Sequence, residues 1–403
     1  MSANQRFSAL QERDFRLFWY GQIISLSGTW MQSVAQSWLV YSLTKSPLYL
    51  GIVASVASLP ILFLALIGGL VADRYPKRNI LILTQTLSVV PALLLGVLTE
   101  TKTVTIVHVG LLAAFLGIVN AFDVPARQAF LAEVVARSSI TNAIGLNSAA
   151  FNGARIIGPI IAGIVISSFG IPVCFYLNAA SFIAVIFALL RIKSRGVVRM
   201  PGGNFIREIA GGWQFVIKER RVLHIMMLIA LFSLFGIPYV TLMPVLAGEI
   251  LNVGAKGLSF LIASAGVGSL LAAIMMALKG KIEKENIIIP LSSLVFSIAV
   301  LGLSFTRSFL ISLILIFFAG WGIVSCLITC NSYIQNRVPD ALRGRVMSLY
   351  TLVFLGFAPL GNSLIGFAAE AAGTIDTLKF FAAVCIIGSI IFWGQFRKEE
   401  AGD

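Results

Sequence analysis

The chain has 403 residues, of which 58 % are hydrophobic and only 12 % are charged, and its formal net charge is +13. Soluble domains carry roughly twice this share of charged residues, so the composition excludes a water-soluble protein and indicates one embedded in lipid. The basic residues concentrate in every second loop, as around Lys77 and Lys281. This positive-inside pattern assigns the excess charge to membrane topology rather than to nucleic acid, and it predicts that both termini are cytoplasmic.

Twelve apolar stretches follow one another along the chain, each long enough to cross about 30 Å of hydrocarbon at about 1.5 Å per residue. We therefore predict an all-α membrane protein with twelve transmembrane helices. The stretches are residues 16–43, 48–72, 79–98, 104–134, 140–169, 172–191, 222–248, 257–278, 286–304, 308–335, 343–371 and 378–396.

One long polar stretch, residues 192–221, divides the chain into halves of nearly equal length. It mixes basic with apolar residues, which predicts a short amphipathic helix on the cytoplasmic surface. Shifting the sequence by 203 positions places Gly153, Gly158 and Gly163 on Gly356, Gly361 and Gly366. We therefore predict two six-helix repeats, residues 1–191 and 222–403, joined by the linker 192–221.

Two ionisable residues, Asp123 and Arg155, lie well inside the fourth and fifth stretches. An isolated charge at such depth costs at least about 2.5–3.5 kcal/mol, so each needs a partner, and the two are deep enough to meet. One interpretation is a structural ion pair between the helices. The other is a proton-coupling site, in which Asp123 accepts the proton and Arg155 holds it ionised until substrate or water intervenes.

A polar stripe runs along the first stretch at spacings of three or four residues, which places its members on one helical face. In lipid such a face must contact protein or water. The stripe therefore predicts either helix–helix contacts or substrate contacts. Its members are Gln22, Ser25, Thr29, Gln32 and Gln36.

Residues typical of metal or nucleotide sites are sparse. His108 and His224 are isolated, and Cys326 with Cys330 makes only a pair of thiols. No metal or other cofactor is predicted. The sequence has no Walker A loop, so we do not expect ATP-driven pumping by this polypeptide. The ionisable residues form no nucleophile–base set, so we do not expect an enzyme.

Two motifs resemble those of the major facilitator superfamily. Residues 69–78 read GLVADRYPKR and resemble its motif A. Gly145, Gly158, Pro159 and Gly163 resemble its motif C, the antiporter motif, although alanine stands at two of the glycine positions. Residues 123–130 and 152–159 are similar to the drug and siderophore exporters of the enterobactin-exporter group. The arginine of motif B is replaced by Ala113, which departs from the pattern of proton-coupled members.

The resemblance implies a major facilitator fold and a conformational latch in the motif A loop. In this latch Asp73 faces a helix N-terminus, and its basic neighbours pair with Glu133. The alternative is a solvated turn that only follows the positive-inside rule. The implied latch residues are Gly69, Asp73, Arg74, Lys77, Arg78 and Glu133.

In this superfamily helices one, four, seven and ten line the central cavity. The resemblance therefore implies substrate contact for polar and aromatic residues on those helices. They are Gln22, Ser25, Thr29, Gln32, Gln36, Asn120, Tyr239, Trp321 and Ser325. The motif C glycines have a second interpretation, since small residues also let helices approach closely.

We expect a secondary active transporter that exports a small amphipathic molecule, such as a drug or a siderophore, by proton antiport with alternating access. The alternatives are a lysophospholipid or lipid flippase and a non-transporting membrane sensor on the same scaffold. Expected partners are membrane lipid, the small-molecule substrate and protons, without nucleic acid. The expected setting is a monomer in the inner (plasma) membrane of a bacterium.

Overall fold

The computed structural model describes residues 8–193, 213–279 and 284–401, and every regular element in these ranges is helical. Twelve long helices confirm the predicted all-α architecture. The first six are α1 Arg13–Thr44, α2 Pro47–Arg74, α3 Lys77–Glu100, α4 Ile106–Glu133, α5 Ile140–Phe169 and α6 Ile171–Arg191. The second six are α7 Arg220–Ile250, α8 Gly254–Lys279, α9 Glu285–Leu303, α10 Phe309–Arg337, α11 with segments Asp340–Gly356 and Ala358–Ala372, and α12 Thr374–Ala401.

Eleven of these helices are long and apolar enough to cross a membrane. The remaining one, α1, is 32 residues long, and the amides and hydroxyls of its polar stripe lower its hydropathy. A stripe of this kind is stable in lipid only where other protein groups or water contact it. The chain is a multi-pass membrane protein.

The chain divides into two compact units, residues 1–44 with 56–202 and residues 45–55 with 203–403. The boundary at 202 lies within the predicted linker 192–221. The predicted amphipathic helix falls mainly on residues outside the described ranges, and only 213–218 of it is seen to be helical.

The assignment of residues 45–55 to the second unit differs from the prediction, and contacts with α11 explain it. Ser55 Oγ donates to Pro359 O at 2.6 Å and accepts from Ser363 Oγ at 2.8 Å. A Cβ atom on Gly51 would lie 2.9 Å from the Cα atom of Gly366, so the two backbones approach closely only because both residues are glycine.

In the first unit α1 packs against α5 and α6, and α3 packs against α4 and α6. An apolar core includes Phe18 and Phe130, whose rings meet edge to face at 5.2 Å. In the second unit α10 packs against α8 and α9, and α9 packs against α12. These contacts bury the faces that lipid does not cover.

Helix α7 is irregular along much of its length. Its α-helical start, Arg220–Leu231, continues through a π turn at Phe232–Gly236 and a 3-10 stretch at Ile237–Leu242. Pro238 and Pro244 supply no backbone N–H donor, which breaks the regular hydrogen-bond ladder.

Candidate functional site

A buried carboxylate, Asp123 on α4, is the centre of a polar network in the first unit. Its Oδ2 accepts hydrogen bonds from Nε of Arg127 at 2.8 Å and from Nη2 of the same guanidinium. Its Oδ1 accepts from Thr84 Oγ1 at 2.7 Å and from Gln85 Nε2 at 2.9 Å, both on α3. Four donors therefore satisfy one carboxylate, which is how a charge is held away from water.

The same network reaches a third helix. Arg127 Nη1 donates to Oε1 of Gln22 on α1. Asp123 and Arg127 are four residues apart on α4, so their side chains lie on the same helical face. A single guanidinium thus joins the carboxylate of α4 to the amide of α1.

The two charges differ in their access to water. The side chain of Asp123 is 3 % exposed, whereas that of Arg127 is 20 % exposed. Glu133 ends α4 ten residues after Asp123, so the carboxylate lies about 15 Å from that end of the helix. Arg127 is about 9 Å from it, within reach of an interface for a long side chain.

The cation that binds Asp123 is Arg127, not the predicted Arg155. The guanidinium of Arg155 instead lies over the indole ring of Trp30, 5.6 Å from its centroid, in a cation–π contact between α5 and α1. The spacing of four residues between Asp123 and Arg127 was the signal that could have identified the pair.

The implied latch residues separate into three groups. Lys77 Nζ lies 2.9 Å from Glu133 Oε1, so the expected pairing of a basic neighbour with Glu133 is present and joins α3 to α4. Arg78 Nε donates to Leu189 O at 2.7 Å and Nη2 donates to Leu190 O at 2.9 Å, which places a cation on the carbonyl end of α6.

The third group lies at the end of α2. Gly69 is half-buried, and a Cβ atom added to it would meet no heavy atom within 4 Å. Asp73 and Arg74 are exposed. The role of these residues in a latch stays a prediction.

The polar stripe of α1 divides into two sets. Gln22, Ser25 and Gln32 are buried among helices, and Gln32 Oε1 accepts from Asn178 Nδ2 of α6 at 2.7 Å. Thr29 is exposed and Gln36 is half-buried. Gln22 and Gln32 of the buried set make contacts between helices, and substrate contact stays a prediction for all five members of the stripe.

The other expected cavity residues also differ in burial. Tyr239 is buried and its ring meets that of Phe296 edge to face at 5.7 Å. Ser325 is fully buried. These two residues are buried within the second unit, and their substrate contact stays a prediction. Asn120 and Trp321 are half-buried, and their substrate contact stays a prediction.

Three of the four motif C residues are packing residues of α5. A Cβ atom on Gly158 would lie 2.6 Å from Ser27 O and 2.6 Å from Trp30 Cβ, so α5 needs glycine there to contact α1. Pro159 and Gly163 are buried on the same helix. Gly145 is exposed, with open space around its Cβ position.

Within the described ranges, no three His, Cys, Asp or Glu side chains come together as a metal site. Cys326 and Cys330 are buried with their sulfur atoms 4.0 Å apart. The shift of 203 positions that relates the two halves places this pair on Asp123 and Arg127. In the predicted two-repeat organisation, the ion pair of the first half corresponds to two small neutral side chains in the second half.

A family model described as "Transmembrane secretion effector" matches residues 4–402. The chain is 28 % identical over 386 residues to the staphyloferrin A transporter of Staphylococcus aureus, covering 95 % of this chain and 96 % of the relative. It is 26 % identical over 400 residues to the multidrug efflux pump Tap of Mycolicibacterium fortuitum, covering 95 % and 96 %. It is 22 % identical over 356 residues to the enterobactin exporter EntS of Shigella boydii, covering 87 % and 84 %.

Solved structures support the fold. A bacterial homologue of the human lysosomal transporter Spinster matches with a TM-score of 0.76, at 13 % identity and 98 % coverage of both chains. The POT family transporter PepTSo also matches with a TM-score of 0.76, at 14 % identity, covering 97 % of this chain and 99 % of the other.

Proposed function

Since this chain belongs to the transmembrane secretion effector family of the major facilitator superfamily, and is therefore a transporter and not an enzyme, we propose that it exports a small amphipathic molecule in exchange for protons. Relatives named for siderophore transport, multidrug efflux and enterobactin export support the direction and the substrate class. We place it in a bacterial inner membrane, as a monomer with both termini in the cytoplasm.

The observation that carries proton coupling is the buried carboxylate of Asp123. It is an ionisable group inside the membrane-spanning part of α4, and every donor that contacts it stabilises its charged form. Charged groups at this depth are costly and are typically functional. Asp123 therefore serves as the proton acceptor.

Protonation of Asp123 changes the contacts of three helices. A neutral carboxyl group no longer attracts Arg127, whose side chain is accessible enough to exchange its partner for water. The guanidinium of Arg127 is then no longer held in place by Asp123. Its hydrogen bond to Gln22 weakens, and with it the contact between α4 and α1. In an alternating-access cycle, this change lets substrate release follow proton uptake.

The test uses full-length protein in proteoliposomes with a pH-sensitive dye inside. The compounds are ethidium, chloramphenicol, a catecholate siderophore and lysophosphatidylcholine. We expect a substrate-dependent pH change with at least one of the first three. D123N abolishes this change but retains counterflow exchange of the same compound, because exchange needs no net proton movement. D376N removes an exposed carboxylate at the start of α12 and serves as the matched control.

The outcomes separate the alternatives. Full proton-coupled transport by D123N would remove Asp123 from the mechanism. Movement of lysophosphatidylcholine alone would favour a lipid flippase, and no flux with any compound would favour a sensor.

The membrane orientation has its own test, since R137C and R343C should be shielded from a membrane-impermeant thiol reagent in intact cells, whereas K102C should react. All three positions are exposed, and Cys174, Cys326, Cys330 and Cys385 are buried.

A further inference from the structure

Three exposed arginines stand at helix ends on one side of the second unit. Arg220 begins α7, Arg337 ends α10, and Arg397 ends the membrane-crossing part of α12. An even number of crossings separates the start of α7 from each of the other two ends, so all three lie on the same side of the bilayer. The positive-inside pattern accounts for cations at this boundary and by itself requires no ligand.

Aromatic side chains hold two of these arginines in place. The guanidinium of Arg337 lies over the ring of Tyr333, 5.2 Å from its centroid, and that of Arg397 lies over the ring of Trp393 at 4.9 Å. The two helix ends meet where the rings of Tyr333 and Phe396 pack edge to face at 5.5 Å. Within the described ranges neither guanidinium pairs with a carboxylate, so both cations are available to an anion from outside the protein.

Two buried donors lie one helical turn further into the membrane than these arginines. The hydroxyl of Tyr333 and the indole N–H of Trp393 are closed to water and have no hydrogen-bond partner among the residues that the structure describes. The side chain of Tyr333 is only 6 % exposed. Buried polar groups are nearly always hydrogen-bonded, so two orphan donors at one helix junction indicate that an acceptor from outside the chain belongs there.

A further cation is buried at the same junction. Arg221 on α7 is 8 % exposed and lies close enough to the Tyr333 hydroxyl to interact with it electrostatically. Glu219 lies in the same surroundings, but residues 218–221 carry three basic side chains against this one acid. Helix α7 packs against both α10 and α12, so the three helices together create a positive potential at the membrane boundary.

The donors and their position select a phosphate group of the bilayer. Phosphate oxygens accept several hydrogen bonds, and guanidinium groups bind them in a bidentate manner. At the ends of membrane-spanning helices, phosphates belong to lipid headgroups, and basic pockets between such helices bind anionic ones. A zwitterionic headgroup carries its own cation, which the arginines repel. Ile390, one turn before Trp393 on α12, is exposed and offers an apolar surface for an acyl chain.

We propose that the junction of α7, α10 and α12 binds the phosphate of an anionic phospholipid such as phosphatidylglycerol. The guanidinium groups of Arg337 and Arg397 turn from the aromatic rings to the phosphate oxygens. This movement uncovers the rings beneath them, so that Tyr333 and Trp393 can donate to the same group. Arg221 supplies positive charge from inside the protein. The bound lipid joins three helix ends and so stabilises the second unit, whatever molecule the protein transports.

The test uses purified full-length protein, stripped of lipid in detergent. Native mass spectrometry gives the Kd for dioleoylphosphatidylglycerol and for dioleoylphosphatidylcholine. Thermal unfolding with a thiol-reactive dye, which reports on the buried cysteines, compares both lipids with inorganic phosphate. The variants are R337Q, R397Q and Y333F. The matched control is R343Q, which removes one exposed arginine from the same side of the unit, where it pairs with Asp340.

We expect phosphatidylglycerol to bind about tenfold more tightly than phosphatidylcholine and to raise the Tm, whereas inorganic phosphate should leave the Tm unchanged. R337Q and R397Q should each weaken phosphatidylglycerol binding by about fivefold, as the loss of one basic residue near an anionic headgroup does, and R343Q should not weaken it. Y333F should be at least as stable as the wild type without lipid, because its hydroxyl has no partner to lose, yet it should bind phosphatidylglycerol more weakly.

Four results would contradict this assignment. Equal affinities for the two lipids would exclude selection of an anionic headgroup. Equal losses in R343Q and R337Q would show that the net charge of this side attracts lipid without a defined site. A rise in Tm with inorganic phosphate as large as that with phosphatidylglycerol would make the ligand a free anion. Unchanged binding by Y333F would remove the buried donors from the site.

Discussion

Lys77 at the start of α3 and Glu133 at the end of α4 form a buried ion pair, with Nζ and Oε1 2.9 Å apart and side-chain exposures of 6 % and 13 %. The second carboxylate oxygen of Glu133 is also buried and has no hydrogen-bond partner among the residues that the structure describes. Lysine is therefore the main compensation for this charge, because other donors do not share it. Removing only one partner of such a pair lowers the stability of the fold strongly, because the other charge stays buried without compensation.

We expect K77M to lower the free energy of unfolding by about 3–5 kcal/mol, because it leaves a buried carboxylate without its cation. E133Q should cost less, since an amide is neutral and lysine can reach towards solvent. The double variant K77M/E133L should recover most of the loss. Thermal unfolding can be followed with a thiol-reactive dye, because the native cysteines become accessible only on unfolding.

The same double variant tests the latch. If it is as stable as the wild type but transports slowly, the charges serve the conformational cycle. Wild-type transport rates in the stable double variant would mean that the pair is purely structural.

Arg127 and Arg155 should differ in their effect on coupling. R127Q removes the cation of Asp123, so substrate-driven proton flux should fall as far as in D123N, and the double variant should lose little more because both act on one network. R155Q leaves the four hydrogen bonds to Asp123 in place, so the number of protons moved per substrate should stay the same. The measurement is the ratio of proton to substrate flux in proteoliposomes, and a lower ratio in R155Q but not in R127Q would reverse the assignment.

Gly158 and Gly145 belong to the same motif but should respond differently to an added methyl group. G158A forces α1 and α5 apart and should cost about 1–3 kcal/mol, as overpacking does. G145A meets no heavy atom within 4 Å and should be neutral or stabilising by up to about 1 kcal/mol, because alanine favours the helix. Thermal unfolding of the two purified variants makes the comparison, and equal losses would show that the motif does not act through this contact.

Gln32 and Thr29 should separate stability from substrate binding. Q32L leaves Asn178 Nδ2 buried without its acceptor, which should cost about 1–3 kcal/mol while the KM for substrate stays unchanged. T29V keeps the size of an exposed side chain and removes its hydroxyl, so stability should hold and KM should rise if this position contacts substrate. A raised KM in a fully stable Q32L would return Gln32 to the substrate site.

Hydropathy and charge alone determined the membrane location, the helical class and nearly all of the helix boundaries. A helix in lipid must satisfy its backbone internally, so a long apolar stretch permits few other structures. The pairing of Lys77 with Glu133 could also be predicted from the sequence, because the motif A resemblance names both residues. The partner of Asp123 was assigned wrongly, since two arginines were available and the four-residue spacing, which places Arg127 on the same helical face as Asp123, was the only signal in the sequence that favoured it.

The polar stripe of α1 shows what the spacing of residues along a helix cannot determine. Its five members lie within a sector of about 80° at 3.6 residues per turn, so their spacing cannot tell a buried glutamine from an exposed threonine. What differs is the neighbouring helix at each level, with α4 and α6 beside Gln22 and Gln32 and open space beside Thr29. Composition places the helices in the membrane, whereas the contacts between distant helices decide which polar groups are buried between helices and which stay exposed.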